Sequence, residues 1–443
     1  MRHEKLIAKD EFSKLKELAK QLHPYDLAQL LEKFSPKLRR RLISSLDNQT
    51  LIRLLPELSE ELLYEIVETL PPKRVAELLA KIPPDDMADI LGDLTVEKRK
   101  KIIGYFTKEK SEEAAKLLKH PEDTAGGLMT TQFLSFHLDT TVDEAIEFIR
   151  KKAMEYETIY YIYVVDDEGK LVGVLSLREL VLAPPKTKLK DIMKKDVIKV
   201  LVDADQEEVA SIIADYNLLA VPVIDRNNKL LGIITIDDIV DVIEEEVIED
   251  MGHLAGIREQ IDKLIDAPIF SVVRARIPWL VFALIGDGII ASSILKFFER
   301  TLASTIALAL FIPVIMAMGG GVGNQSSTIF IRGLATGEIR DPIKYFLREI
   351  KVGLIMGVLV GAGIAIVSYL LIKAPKIGVI VGCAMFITTT IASVIGIFIP
   401  KLFHELNVDP AICSVPLIST IQDILGLCIY FTTAGLLLKY IGV

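Results

Sequence analysis

The stretch AICSVPLISTIQDILGLCIYFTTAGLLL, residues 411–438, carries one charge, Asp423, in an otherwise uncharged run. A bilayer crossing needs roughly 20 apolar residues, so the run is long enough to span. An ionised carboxylate inside it costs at least ~2.5 kcal/mol even on lenient insertion scales. Such groups mark ion or proton paths, or else form polar contacts between helices.

Working outward, four more apolar runs precede it, at about 277–295, 302–331, 352–372 and 377–400. Five crossings put the termini on opposite sides. The loop after the second run carries Arg332, Arg340, Lys344, Arg348 and Lys351. The opposite loops have only Lys296 and Arg300, then Lys373 and Lys376. Basic residues stay on the cytosolic side, so the N-terminal half is expected in the cytosol and the C-terminus outside. Arg274 and Arg276 before the first run agree. The segment MRHEKLIAKDEF (1–12) lacks the apolar core of a signal peptide.

The second run reads FIPVIMAMGGGVGNQSSTIFIRGLATGEI (311–339). Pro313, Gly319, Gly320, Gly321 and Gly323 predict a helix weakened or broken near mid-membrane. Asn324, Gln325, Ser326, Ser327 and Thr328 add oxygen and amide groups. Freed carbonyls at that depth are tolerated where they meet protein or line a watery cavity. The segment therefore reads as a cation path or as close helix packing through small residues. Asp287, in LIGDGII (284–290), is a second intramembrane carboxylate that could face the path. Thr388, Thr389 and Thr390 are expected to satisfy local backbone carbonyls.

The mean hydropathy of +0.40 hides this division, because residues 1 to about 270 are charged and read as soluble. The net charge of −9 comes with no basic stripe, which argues against nucleic acid. Cys383, Cys413 and Cys428 lie in the apolar half without metal-ligand spacing, and imply no disulfide framework. No nucleophile–base set, zinc-protease motif or phosphate loop is present, so an enzyme is not expected.

Within the soluble half, Leu22, Phe34, Leu46, Leu58, Leu70, Ile82, Leu94, Phe106 and Leu118 recur every 12 residues. Helix-start signals follow several of them, such as His23-Pro24, Ser35-Pro36, Asp47-Asn48, Pro71-Pro72 and Pro83-Pro84. This predicts a superhelix of short helices, each burying its apolar face on its neighbours. A second repeat follows: YVVDDEGKLVGVLSLREL (163–180) aligns with PVIDRNNKLLGIITIDDI (222–239) at an offset of 59. Both read strand, polar turn, strand, helix start. This pair resembles tandem cystathionine-β-synthase-type (CBS) domains, which are sensor modules that often dimerise and bind adenine nucleotides.

The second repeat runs into IDDIVDVIEEEVIEDM (236–251). Asp237, Asp238, Asp241, Glu244, Glu245, Glu246, Glu249 and Asp250 place eight carboxylates within fourteen residues. Like charges at helical spacing repel. A hard divalent cation would relieve that, since Mg²⁺ and Ca²⁺ take oxygen ligands; basic partners or solvent would also serve. Asp85, Asp86, Asp89 and Asp93 form a second acidic group. If the two groups faced each other, Mg²⁺ could bridge them and favour one state of a switch.

The order of parts, with PVIMAMGGGVGNQSSTIFIRGLATGEI (313–339) and VDPAICSVPLISTIQDILGLCIYF (408–431), resembles the MgtE family of magnesium channels over essentially the whole chain. The resemblance implies an all-α superhelical domain (1–125), an α/β CBS pair (126–187 and 188–246), a connecting plug helix (247–272) and a five-helix transmembrane domain (273–443). It implies a homodimeric Mg²⁺ channel in the lipid membrane, its pore lined by the second and fifth segments. Cytosolic Mg²⁺ would close it, and ATP would bind the CBS region in some members. The family's pore aspartate falls on Asp423, with Ser419 one turn before, and the glycine-rich stretch on Gly319–Asn324. With Pro313 and Gln325 these are the candidate path residues. Regulatory carboxylates map to Asp89, Asp93, Asp238, Asp241, Glu246, Glu249 and Asp250, with Asp237 and Glu245 as further possibilities. Asn217 stands where a carboxylate is expected in the second CBS domain, Gly321 where asparagine is common, and Asp287 is foreign to the pattern. A carrier of another divalent ion such as Co²⁺, a proton-coupled version through Asp287, and a membrane-anchored nucleotide sensor are the alternatives.

Overall fold

The computed structural model describes residues 9–153, 156, 158–257, 264, 267–335, 338–339, 341–406, 408–413 and 415–441. Arg340 and part of the expected plug segment, 258–263 and 265–266, fall outside them. The chain divides into two units, Met1–Ile243 and Glu244–Val443.

Short helices open the first unit. Pro24, Pro36, Pro72 and Pro84 each sit in a first helical turn, where a missing N–H costs nothing. The Asp47 and Thr107 side chains cap others, accepting from Thr50 N at 2.9 Å and Lys110 N at 3.3 Å. All nine periodic residues converge on one core. Leu46, Leu58, Leu70, Ile82 and Leu94 are buried in it, and Leu22, Phe34, Phe106 and Leu118 pack against it. The period works because each apolar residue follows one short helix and precedes the next cap. The superhelix is borne out.

The second repeat forms two three-stranded sheets. The first holds β1 (Phe133–His137), β2 (Thr158–Val165) and β3 (Leu171–Ser176); the second holds β4 (Val200–Leu201), β5 (Ala220–Ile224) and β6 (Leu230–Thr235). In each the first pair is parallel and the second antiparallel. Gly169 (φ +77°) and Asn228 (φ +65°) occupy equivalent turn positions in the left-handed region, which glycine and asparagine tolerate. The two turns bond reciprocally: Leu171 N–H to Asn228 O at 2.9 Å, and Leu230 N–H to Gly169 O at 3.2 Å. Tyr163, Leu171, Ala220, Leu230 and Ile233 fill the seam between the sheets. Asn217, which stands where a carboxylate is expected, has a structural reason. It closes the helix Gln206–Tyr216 at φ +51°, a left-handed cap that asparagine fills after glycine. The helix Ile236–Ala255 begins in this unit and ends in the next.

Five helices of the second unit are long and apolar enough to cross a membrane: Ile269–Phe297, Ile306–Leu334, Pro342–Ile372, Pro375–Glu405 and Val415–Tyr440. The expected mid-membrane break in the second span is absent. After a 3₁₀ turn at Ile306–Phe311, residues Ile312–Ala335 run as one helix through Gly319, Gly320, Gly321 and Gly323. Pro313 occupies its first turn, where no hydrogen bond is lost. The irregular backbone lies instead in the first span, where Gly286–Ala291 forms a π-helical turn. The third span also starts ten residues before the apolar run. Asp341 caps it through Ile343 N (3.1 Å) and Lys344 N (3.0 Å), so Lys344, Arg348 and Lys351 belong to a helix rather than a loop.

Glycines in these spans are contact points. A Cβ on Gly353, Gly357 or Gly361 of the third span would meet Ser393, Phe386 O or Gly382 O of the fourth at 3.0, 2.8 and 2.7 Å. Small residues four apart let two backbones approach, and dispersion along the seam replaces the missing hydrophobic drive. A Cβ on Gly396 would lie 2.3 Å from Gly323 O. We therefore expect Gly396→Ala to destabilise the membrane unit by about 1–3 kcal/mol, seen as a lower unfolding midpoint in detergent. Gly363→Ala, whose Cβ meets nothing within 4 Å, should be neutral.

Candidate cation site

The second and fifth spans meet along their polar residues. Asn324 Nδ2 donates to Ser419 Oγ at 3.0 Å. Gly320 lies against Ser419 and Gly319 approaches Gln422 O. Gln422, almost wholly buried, donates through Nε2 to Ala392 O of the fourth span at 3.0 Å, and Gly323 packs on its amide. Asp423 follows directly, half-buried, with no ion pair or hydrogen bond to another described residue. In the second, fourth and fifth spans, Asn324 Oδ1, Ser327 Oγ, Thr388 Oγ1 and Thr420 Oγ1 are buried without a hydrogen-bond partner. Thr388 sits between Gly319 and Gly426, hence between the second and fifth spans. Of the three threonines expected to bond local carbonyls, Thr390 does, to Phe386 O at 2.8 Å; Thr388 and Thr389 do not.

The candidate path residues divide between two faces. Gly319, Gly320 and Asn324 turn to the fifth span, whereas Pro313, Gly321 and Gln325, spaced by eight and four residues, are exposed in the single chain. Asp287 lies on the π-helical turn, its Oδ1 buried without a partner.

Glu349 was not singled out by sequence. It is buried, and accepts from Ser326 Oγ of the second span and Ser393 Oγ of the fourth, both at 2.7 Å on Oε1. With two hydroxyls donating to it, the carboxylate ties three spans together. A cavity of about 220 Å³ adjoins it, lined by Gln325, Tyr345 and Arg348 among others. The available signal is phase: Glu349, Gly353, Gly357 and Gly361 share one helix face.

The acidic groups are arranged differently. In the first unit, the helix Pro84–Gly92 sets Ala88 in one core with Leu117 of the helical domain and Val209, Ala210, Ile239 and Val242 of the second CBS fold. This brings Asp89 near Asp238. Burial, then the like charges of Asp86, Glu122, Asp93 and Asp238, push the Asp89 carboxyl up to about 7. Asp238 is held above its ordinary value mainly by burial, with Asp237 and Asp241 adding to it. It also has a local task, accepting from Thr235 Oγ1 at 2.6 Å at the start of its helix. In the second unit, burial raises Asp250 first, then Asp409, while His253 and Arg332 oppose. His253 Nδ1 lies 3.3 Å from Asp409 Oδ2, and Leu254 packs with Ile331, Ala411, Cys413 and Ile418. Among the described residues, no three of His, Cys, Asp and Glu come close enough to hold a metal ion directly. Asp237, Asp241, Glu245 and Glu249 are exposed, and Glu246 partly so.

Residues 312–433 match the MgtE divalent cation transporter model, 22–123 the MgtE intracellular N domain, and 125–186 and 189–245 the CBS domain. The magnesium transporter MgtE of Thermus thermophilus is 41% identical over 335 residues, 74% of this chain and 73% of that protein. The chain belongs to the MgtE family of magnesium transporters. The MgtE of Enterococcus faecalis is 38% identical over the same shares. A crystal structure of the cytosolic domain of the Mg²⁺ channel MgtE in complex with ATP matches at 38% identity, covering 53% of this chain and 96% of that one, with a TM-score of 0.51. The soluble part of a magnesium transporter matches at 37% identity, covering 54% and 93%, with a TM-score of 0.50. As an MgtE family member, the chain is a transporter and not an enzyme.

The Asp89 shift has a consequence for pH. The stability contributed by its raised carboxyl is fully present below its ordinary value near 3.8 and is lost as pH rises through about 7. Without divalent cations, amides 84–93 of the full chain should exchange hydrogen faster, after correction for intrinsic rates, as pH climbs through that window. Asp89→Asn should flatten the dependence.

Proposed function

We propose that the chain is a Mg²⁺-selective channel whose path runs between the second and fifth spans. The observation that carries this reading is the unpaired Asp423 carboxylate beside spans that leave oxygen atoms unpartnered. A charge at that depth needs a counter-charge, and none of the described basic residues supplies one. Mg²⁺ keeps several of its waters, so one carboxylate with hydroxyl and amide oxygens suits a partly hydrated ion. Asn324 and Ser419 fix the two helices in register at the site. The exposed face of Pro313, Gly321 and Gln325 fits a homodimer in which a second copy completes the path.

Gating follows from the acidic groups. Asp89 and Asp93 on one side and Asp238 and Asp241 on the other repel in the absence of cations. A hydrated Mg²⁺ would bind them through water rather than as a direct cage, which accords with their spacing. Glu246, Glu249 and Asp250, with Asp237 and Glu245, extend the same charge along the helix Ile236–Ala255. High cytosolic Mg²⁺ would hold these carboxylates together and close the path by its differential affinity for that state. The basic residues around Arg332 and Lys344 support placing the N-terminal domains in the cytosol and the C-terminus outside. The relative solved with ATP supports an adenine-nucleotide site in the CBS pair.

Mg²⁺ uptake into proteoliposomes tests the path. Wild-type protein should carry Mg²⁺, and uptake should fall as Mg²⁺ on the cytosolic face rises. Asp423→Ala should abolish uptake. Uptake indifferent to Asp423 would sink the assignment. Equal uptake of Co²⁺ would move the specificity away from Mg²⁺.

A further inference from the structure

The first span departs from α-helical geometry at Gly286–Ala291, and the departure falls on Asp287. A π-helical turn adds a residue to the helix and gives up regular bonding, so in membrane spans it persists where something repays it. The turn is set against the fifth span. A Cβ on Gly286 would lie 2.1 Å from Thr420 Cγ2 and 3.9 Å from Ile424 Cδ1. Thr420 and Ile424 are four apart on one helix ridge, and Asp423 lies between them in the chain. Asp287, the residue after Gly286, thus falls on the turn seated against the ridge that carries Thr420, one helical turn before Asp423.

Neither carboxylate has a basic partner or a hydrogen-bond donor among the described residues. Thr420, 2% exposed at the same contact, also keeps an unpartnered hydroxyl oxygen. Two uncompensated carboxylates at one junction within the membrane repel each other, and a single positive charge neutralises only half of the pair. A divalent cation neutralises both.

Resting on the path assignment above, we propose that Asp287 is a second carboxylate of the cation path, so that each chain offers a divalent ion the Asp287–Asp423 pair. Asp423 supplies the path's attraction for cations. The second charge raises the preference for a divalent over a monovalent ion, because only the divalent ion meets both charges at once. The close seat of Gly286 on Thr420 fixes the spacing of the pair.

The test is ion uptake by the full-length protein in proteoliposomes, with Mg²⁺, Na⁺ and Li⁺ measured separately. Asp287→Asn loses a charge but no hydrogen bond, so it should elute and unfold like the wild type. It should lower Mg²⁺ uptake by about tenfold, the order of one lost charge–ion contact, and raise the Na⁺ and Li⁺ leak relative to Mg²⁺. Asp287→Glu should recover most of the Mg²⁺ preference. An aggregated Asp287→Asn would be replaced by Asp287→Ser under the same readouts. Unchanged flux and selectivity in Asp287→Asn, with Asp423→Ala inactive, would overturn this inference and leave the path assignment standing. Reduced flux with unchanged selectivity, or no recovery in Asp287→Glu, would make Asp287 a packing residue and overturn it as well. Indifference to both aspartates would remove the path and this inference together.

Discussion

Backbones that approach one another through glycine set the terms for the whole membrane unit. Lipid is as apolar as the helices themselves, so burial of leucine between spans brings little gain. Close contact and a few polar pins must hold them. Gly353, Gly357 and Gly361 bring the third span onto the fourth, and Gly396 lets the fourth meet the backbone of the second at Gly323. On that frame sit the Asn324–Ser419, Gln422–Ala392 and Ser326–Glu349–Ser393 contacts. Each would be strained or lost if a Cβ pushed the helices apart.

The pins explain why the glycine-rich second span stays helical. With its proline in the first turn and Gly323 pressed against Gln422 and Gly396, nothing requires the backbone to open. On the proposed reading, the path would depend on side-chain oxygens rather than on freed carbonyls. The proposed role of Asp423 then rests on a hydrated ion as its partner, since Mg²⁺ keeps several waters.

The soluble unit uses another logic. Water is available, so short capped helices bury a periodic apolar residue, and two similar folds join through reciprocal turn bonds. The acidic residues are left at the seam between helix Pro84–Gly92 and the second CBS fold. They do not close on one another, and their mutual repulsion is stored there. Asp238 shows how one side chain serves twice, capping a helix while adding its charge to that seam.

The 12-residue period, the 59-residue repeat and the five apolar runs were all legible in the chain, because each is a local pattern that water or lipid enforces residue by residue. The same held for Asp423, whose setting is apolar on both sides in sequence. What only the tertiary structure decided depends on neighbours distant in the chain. The span ends moved because Asp341 and Pro342 start a helix that hydropathy does not mark. Glu349 stayed hidden among basic residues until Ser326 and Ser393, from two other spans, closed on it. The division of the second span into a packed face and an open face, and the π-helical seat of Asp287 beside the fifth span, follow from helix rotation and crossing. Composition carries no record of either, since both are fixed by which backbones can come closest.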